Sequence, residues 1–149
     1  ATDLVSQECT ILPTESCNPI FRITNNGNYQ DIFRIEAVQI PTFVTLENGQ
    51  RSLEIPKNTY VDITDITITA IEGVEAFSNS QVIFNVQPVG ITNAVQTVAF
   101  DVVIAPKIDW SIQDLTEEND ALGRFNIAMT LRNNGNAADG IIVQLQCSL

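Results

Sequence analysis

The side chains that could carry chemistry are acidic, because the sequence contains no histidine. Without histidine neither a Ser-His-Asp nor a Cys-His nucleophilic site can be built, and the commonest metal ligand is missing as well. Paired carboxylates could still hydrolyse a glycosidic bond, but the acids fall singly on outward strand positions or in turns. Solvated faces explain this distribution, and we expect a protein that is not an enzyme.

Calcium binding is the other chemistry that the acids allow. Glu117, Glu118 and Asp120 are close together in the chain, with Asn119 between them and Asp114 nearby. Calcium prefers such oxygen ligands in loops. The spacing lacks an EF-hand pattern, however, so a solvated turn is the favoured interpretation and calcium the alternative. We predict no other cofactor.

Two of the three cysteines lie close together in the sequence. Cys9 and Cys17 flank Pro13, where a returning chain could bring the two thiols together. A disulfide would close a short loop and stabilise the fold by roughly 2–3 kcal/mol on the chain-entropy model. The alternative is two free thiols. If the bond forms, it indicates an oxidising compartment.

The net charge of −11 limits the partners. Nucleic acids and anionic membrane surfaces both attract a basic footprint, which this chain lacks, so neither is an expected partner. No apolar run approaches the 18 or so residues of a transmembrane helix. We therefore expect no direct membrane insertion.

The elements that position these residues are short strands, since Val, Ile and Thr dominate and Gly, Pro and Asn punctuate the apolar runs. The pattern predicts a first strand within 1–12, then strands at about 18–25, 30–39, 43–47, 51–55, 59–71, 81–88 and 95–105. Asn48-Gly49 predicts a hairpin. The long strand changes phase near Thr64-Asp65, which indicates a β-bulge or a sheet-switching bend. An antiparallel immunoglobulin-like β-sandwich is the predicted fold.

A repeated turn sets the domain organisation. Asn25-Asn26-Gly27-Asn28 returns 108 positions later as Asn133-Asn134-Gly135-Asn136. The flanking positions match at the same offset: Phe21 with Met129, Ile23 with Leu131, Asp31 with Asp139, Phe33 with Ile141 and Ile35 with Val143. A period near 100 residues is the size of one sandwich. The sequence therefore predicts a complete unit at 1–105 and the first three strands of a second unit at 106–149, with a polar loop at 116–123.

Three strands cannot close a sandwich, so the second unit should present an uncovered apolar face. Its predicted members are Ile108, Trp110, Ile112, Phe125, Ile127, Met129, Leu131, Ile141, Val143 and Leu145. Leaving ten such side chains in water would cost more than the net stability of a domain. Either the chain belongs to a longer array, or another subunit adds strands, or the three strands fold back on the first unit. Cys147 aligns with Gln39 and is expected to be buried in the first two cases.

The segment from Phe21 to Val44, with its Ile-Thr-Asn-Asn-Gly-Asn-Tyr-Gln-Asp turn, resembles the Ig-like CARDB family and related modules of prokaryotic, especially archaeal, surface proteins. Ile55-Pro56 ahead of a long Val/Ile/Thr strand adds to the resemblance, and the second copy, from Leu131 to Val143, is similar to the same motif. Family members often have Gly where Asn58 stands. The resemblance implies an extracellular structural or adhesive module in a tandem array, without catalytic residues.

These observations favour a structural role at the cell surface, as a subunit or segment of a filament, appendage or S-layer. The expected partners are copies of the chain itself or further repeats. The alternative is an adhesion module that presents loops such as 72–80 and 116–123 to a ligand.

Overall fold

The computed structural model describes residues 1–4, 8–91, 93–144 and 146, and these residues form strands and turns. No helix in the described part of the chain is long and apolar enough to cross a membrane. The strands are β1 (Thr2–Leu4), β2 (Glu8–Ile11), β3 (Ser16–Cys17), β4 (Phe21–Asn25), β5 (Asp31–Gln39), β6 (Val44–Glu47), β7 (Gln50–Ile55), β8 (Thr59–Ile63), β9 (Thr67–Ala70), β10 (Asn79–Pro88), β11 (Gln96–Ile104), β12 (Trp110–Asn119) and β13 (Phe125–Asn133). The chain divides into two compact units, Ala1–Ala105 and Pro106–Leu149.

One layer of the first unit is a five-stranded sheet in the order β2-β11-β10-β5-β7. Its pairs are antiparallel except for β2, which runs parallel to β11 with Cys9 opposite Val102. The predicted first strand therefore splits, since β1 pairs with β4 in the other layer. A chain that starts in one sheet and crosses to the other gives both sheets an edge strand from the same short segment.

The opposite layer consists of two hydrogen-bonded groups, β1-β4-β8 and β3-β9-β6. Both β3 and β4 pair with the segment 59–70: Phe21 lies opposite Ile63, and Cys17 lies opposite Ile68. Between these pairs, residues 18–20 face residues 64–67, so the longer segment carries one extra residue. That residue lies where the phase change predicted it, and it returns Ile66 and Ile68 to the core face.

The core of the first unit lies between the two layers. Phe21 from β4 contacts Phe84 and Phe100 from β10 and β11, with ring centroids 5.9–6.0 Å apart. Such tilted and edge-on aromatic arrangements are favourable beyond the area they bury. The buried apolar residues around them are Cys9, Ile11, Ile23, Phe33, Ile35, Val44, Ile55, Ile63, Ile66, Ile68, Ala70, Val74, Val82, Val86, Val98, Val102 and Ile104. The predicted immunoglobulin-like β-sandwich is confirmed.

The Asn48-Gly49 turn does not form a hairpin. The strands on either side belong to different layers, because β6 pairs with β9 and β7 pairs with β5. A Cβ on Gly49 would lie 2.3 Å from a Leu46 methyl carbon, so a larger residue there would require the Leu46 side chain to shift. The turn connects the two layers, and long-range strand pairing overrides the local hairpin signal.

The structure joins Cys9 and Cys17 in a disulfide, with their Cα atoms 6.2 Å apart. Cys9 lies in β2 of the five-stranded sheet and Cys17 in β3 of the opposite layer. The bond therefore links the two layers near the start of the chain.

Candidate assembly face and repeated turn

The second unit contains a single hairpin in its described residues, formed by β12 and β13. Antiparallel pairing places Ile112 opposite Leu131 and Trp110 opposite Asn133. Paired residues share a face and alternate residues of one strand share a face. Phe125, Ile127, Met129 and Leu131 therefore line the same face as Trp110 and Ile112. We call these six residues the open face.

A β-bulge interrupts the hairpin where the sequence predicted a strand end. The register shifts between Gln113 and Thr116, and Asp114 has a φ of 52°. Beyond the bulge β12 continues to Asn119, so the first half of the predicted polar loop at 116–123 is strand. A run of polar residues can continue a strand here because neither of its faces is buried.

The open face is accessible to solvent, unlike its counterpart in the first unit. Leu131 is 37% exposed and Met129 is half-buried, whereas the matching Ile23 and Phe21 are both 0% exposed. Trp110, Ile112 and Phe125 are each about half exposed, Ile127 is half-buried, and Ile108 is 71% exposed. Throughout residues 106–144 and at 146 no side chain is buried. The same sequence pattern is therefore covered in one unit and uncovered in the other.

The predicted third strand of the second unit is wrong within the described residues, because 137–144 and 146 have no strand assignment. Ile141 is half-buried and Val143 is 54% exposed. These two residues match Phe33 and Ile35 of β5, a strand that pairs with β10 and β7 and not with β4. Among the described residues of the second unit no strand corresponds to β10 or β7, the two strands that pair with β5 in the first unit. Leu145 and Cys147 lie outside the described residues.

The repeated turn has the same internal geometry in both units. In the first, the Asn25 side chain accepts the Gly27 N–H at 2.9 Å and donates to the Tyr29 carbonyl at 2.9 Å. In the second, Asn133 makes the same two bonds at 2.9 and 2.8 Å, with Gly135 and Ala137. The turn is therefore determined locally, as expected for an Asn side chain that bonds nearby backbone.

Two features separate the copies. Asn25 is buried, 4% exposed, and its amide also donates to the Ile55 carbonyl at 2.9 Å. Asn133 is exposed, and no strand equivalent to the one that carries Ile55 is present in the described residues. The Asn25 side chain therefore connects two strands, whereas among the described residues the Asn133 side chain bonds only within its own turn.

The second turn is flanked by the segment that leads into β12. Asn134 N–H donates to the Asp109 carbonyl at 2.7 Å, and Asn136 N–H donates to the Lys107 carbonyl at 3.2 Å. The Lys107 N–H in turn donates to the Asn136 side chain at 2.6 Å. A Cβ on Gly135 would lie 2.2 Å from the Lys107 carbonyl oxygen, so glycine is required for this close approach.

The weak calcium candidates are not brought together. Glu117 and Glu118 are consecutive strand residues and so point to opposite faces of the hairpin. Asp120 caps the following turn: its Oδ1 accepts the backbone N–H groups of Leu122 at 2.9 Å and Arg124 at 2.8 Å, and its Oδ2 pairs with the Arg124 guanidinium. These bonds from Arg124 lower the pKa of Asp120. In the described part of the chain no three acidic or cysteine side chains form a group that could hold a metal.

Among the described residues of the first unit, two ion pairs lie on the surface. Arg22 makes a bidentate pair with Asp62 at 2.7 and 2.9 Å, and its guanidinium carbon lies 3.8 Å from the centre of the Tyr60 ring. The side-chain hydrogen bonds lower the pKa of Asp62 and raise that of Arg22. Asp65, in the break between β8 and β9, pairs with Arg51, which lowers its pKa. Both carboxylates have an evident structural partner.

No family model and no curated protein matches the chain. Among solved structures, the chain is similar to SSP-19 of Caenorhabditis elegans, an MSP-domain protein like family member, with 14% identity, coverage of 66% of this chain and 94% of that chain, and a TM-score of 0.41. It is similar to PapD-like domain 7 of human CEP192, with 10% identity, 70% and 83% coverage, and a TM-score of 0.44. For the class 5 fimbriae chaperone CfaA the values are 14%, 91%, 68% and 0.44. These neighbours are MSP-like and PapD-like domains of immunoglobulin type.

Proposed function

We propose that the protein is a structural module of an extracellular, cell-surface assembly, in which strands from another copy or a further repeat complete the second unit. The single observation that carries the proposal is the exposure of the open face. Positions that are fully buried in the first unit stay accessible in the second, although the local turn folds identically. Covering a large apolar side chain contributes about 1.5–3 kcal/mol, so this face provides a strong drive to associate.

The pairing pattern supports a position for the strand that would complete the second unit. In the first unit β4 lies between β1 and β8. Its counterpart β13 pairs with β12 on one side, and in the described residues nothing occupies the other side. An exposed edge next to an apolar face is the arrangement that β-augmentation uses, in which main-chain bonds give affinity and side-chain positions give specificity. We propose that the incoming strand occupies the place that β8 takes in the first unit.

The finer features of the proposal have their own support. The Cys9–Cys17 disulfide supports an oxidising, extracellular location. The repeated turn and its resemblance to CARDB modules support a tandem array of a prokaryotic, in particular an archaeal, surface protein. The proposal assigns the chain no catalytic role, and partners of its own kind in place of nucleic acid or membrane.

Two substitutions on neighbouring residues of β13 test this proposal. Leu131→Lys places a charge on the open face, whereas Thr130→Lys places the same charge on the opposite face of the same strand. We expect the unmodified chain to form oligomers or fibres, Leu131→Lys to abolish them, and Thr130→Lys to retain them. Size-exclusion chromatography with light scattering, followed by electron microscopy, measures the outcome.

Trp110 provides an independent readout, because it is the only tryptophan and lies on the open face. Assembly through this face should shift its emission to shorter wavelength as concentration rises. A folded monomer at all concentrations, with unchanged Trp110 emission, would count against completion by a second copy. A monomer of that kind with a saturable sugar or protein ligand would favour the adhesion alternative, for which the 68% exposed Phe77 in loop 72–80 is the most prominent feature.

A further inference from the structure

The two units differ in the length of backbone that lies beside the repeated turn, and the strand register gives this difference in residues. Ala1 is paired with Thr24 through both backbone bonds, at 2.8 and 2.9 Å. In the second unit Ser111 is opposite Arg132, the counterpart of Thr24. Ser111 therefore corresponds to Ala1. Lys107 to Trp110 precede Ser111 beside the second turn, whereas the described residues beside the first turn begin at the position that matches Ser111.

Two backbone N–H groups of the repeated turn hold these residues in the second unit, and the matching groups of the first unit make no such bonds to the described residues. In the second unit, Asn134 and Asn136 donate their backbone N–H groups to the segment that leads into β12. Within the described residues, the matching N–H groups of Asn26 and Asn28 make no hydrogen bond to protein. Gly27 likewise has no backbone carbonyl of a neighbouring strand against it, and a Cβ there would meet chiefly the Asn25 side-chain oxygen at 2.9 Å.

A groove of about 460 Å³ lies at this position in the first unit. Its walls include the core residues Ile23, Phe33 and Val86, and the exposed Tyr29 and Ile91 lie at its rim. It runs from Ala1 along the whole repeated turn. The groove is thus an opening at the end of the hydrophobic core, next to two unused backbone donors.

The second unit shows which side chains would fill such a groove. Trp110 is opposite Asn133, and Ile108 lies two positions before it on the same face. Asn25, the counterpart of Asn133, points into the core. Apolar side chains at the first and third positions before Ala1 would consequently point into the groove, while the second and fourth residues would offer their carbonyls to Asn26 and Asn28.

We propose that this groove is a docking site for a linker strand: an extended segment of four residues, antiparallel to Thr24–Asn28, with apolar side chains at its first and third positions counted back from Ala1. The occupant is the linker of a preceding unit, matched in pattern to Lys107-Ile108-Asp109-Trp110. It would extend β1 in the same way that Lys107 to Asp109 lead into β12, whose first residue is Trp110. The inference rests on the proposed function only in taking the array to contain further units.

The test adds Lys-Ile-Asp-Trp ahead of Ala1 in the full chain. Each new hydrogen bond should slow amide hydrogen exchange at Asn26 and Asn28 by about 2- to 10-fold, measured residue by residue by NMR at a concentration where the chain is monomeric. The melting temperature of the first unit should rise. A Lys-Ser-Asp-Ser extension keeps the length and backbone but lacks the apolar side chains, and should give less than half of that rise.

Equal exchange rates at Asn26 and Asn28 in the extended and unextended chains would overturn the proposal. Protection that appears only when the concentration is raised would also overturn it, because it would mean that the strand comes from another copy. The measurement is independent of assembly through the open face: Leu131→Lys can be combined with the extension, and the docking result should not change. The docking site and the proposed function can therefore fail separately.

Discussion

The duplicated turn allows one substitution to be compared in two environments, Asn25→Ala and Asn133→Ala. Asn25 is buried and makes three hydrogen bonds of 2.9 Å, to Gly27, Tyr29 and Ile55. Removing them leaves the buried Ile55 carbonyl without this partner. At roughly 0.5–1.5 kcal/mol for each net bond, we expect Asn25→Ala to lower the free energy of unfolding of the first unit by about 2–4 kcal/mol. In a domain of this size that is a drop of roughly 10–25 °C in melting temperature.

Asn133→Ala removes the equivalent side chain from an exposed turn that lacks the third bond. Water replaces the hydrogen-bond partners in this exposed turn, so the expected loss in free energy of unfolding is about 0.5 kcal/mol or less. Urea unfolding followed by circular dichroism measures both changes, and amide exchange in β4 and β7 shows whether the loss lies in the first unit. Equal destabilisation by the two substitutions would refute the argument, because it would mean that the bond to Ile55 contributes nothing beyond the local turn.

Two further predictions concern the first unit. Replacing Cys9 and Cys17 together by Ala should lower its free energy of unfolding by roughly 2–3 kcal/mol, measured by urea unfolding, and added reductant should then have no effect on the variant. The pKa of Asp65 is lowered by Arg51, so this pair stabilises the fold at a pH above the ordinary value of 3.8 and the contribution is lost as the pH falls below it. Asp65→Asn should remove that part of the acid dependence, a change of at most about 1 kcal/mol for an exposed pair, and an unchanged pH profile would contradict it.

The strands were largely predictable from sequence because alternation of apolar residues is a local property. The pattern located β4, β5 and β11 closely, and the phase change near Thr64-Asp65 located the extra residue. Which strands pair with each other was not predictable in the same way. Nothing in residues 1–12 shows that β1 and β2 enter different layers, because that depends on which distant strands have free edges.

The open face was likewise predictable in part. Its six apolar members followed from alternation, but the bulge at Asp114 did not, since a single left-handed residue leaves no clear signal in a polar run. The third strand was predicted from the repeat and is not formed in the described residues, where no strand corresponds to β10 or β7, the partners of β5. A repeat in sequence therefore predicts local turns more reliably than it predicts pairing.

The two copies of the turn share their internal hydrogen bonds and differ in their surroundings. The same four residues make the same local bonds at Asn25 and at Asn133, so the turn does not need a completed sandwich. Burial of the flanking apolar residues does need one, and it is present in the first unit and missing in the second. Conversely, the segment ahead of β12 is hydrogen-bonded to the second turn, and among the described residues no such segment lies against the first. Each copy thus supports one of the two proposals: the first unit supports a β8-like strand beside β13, and the second supports a linker strand in the groove beside Ala1.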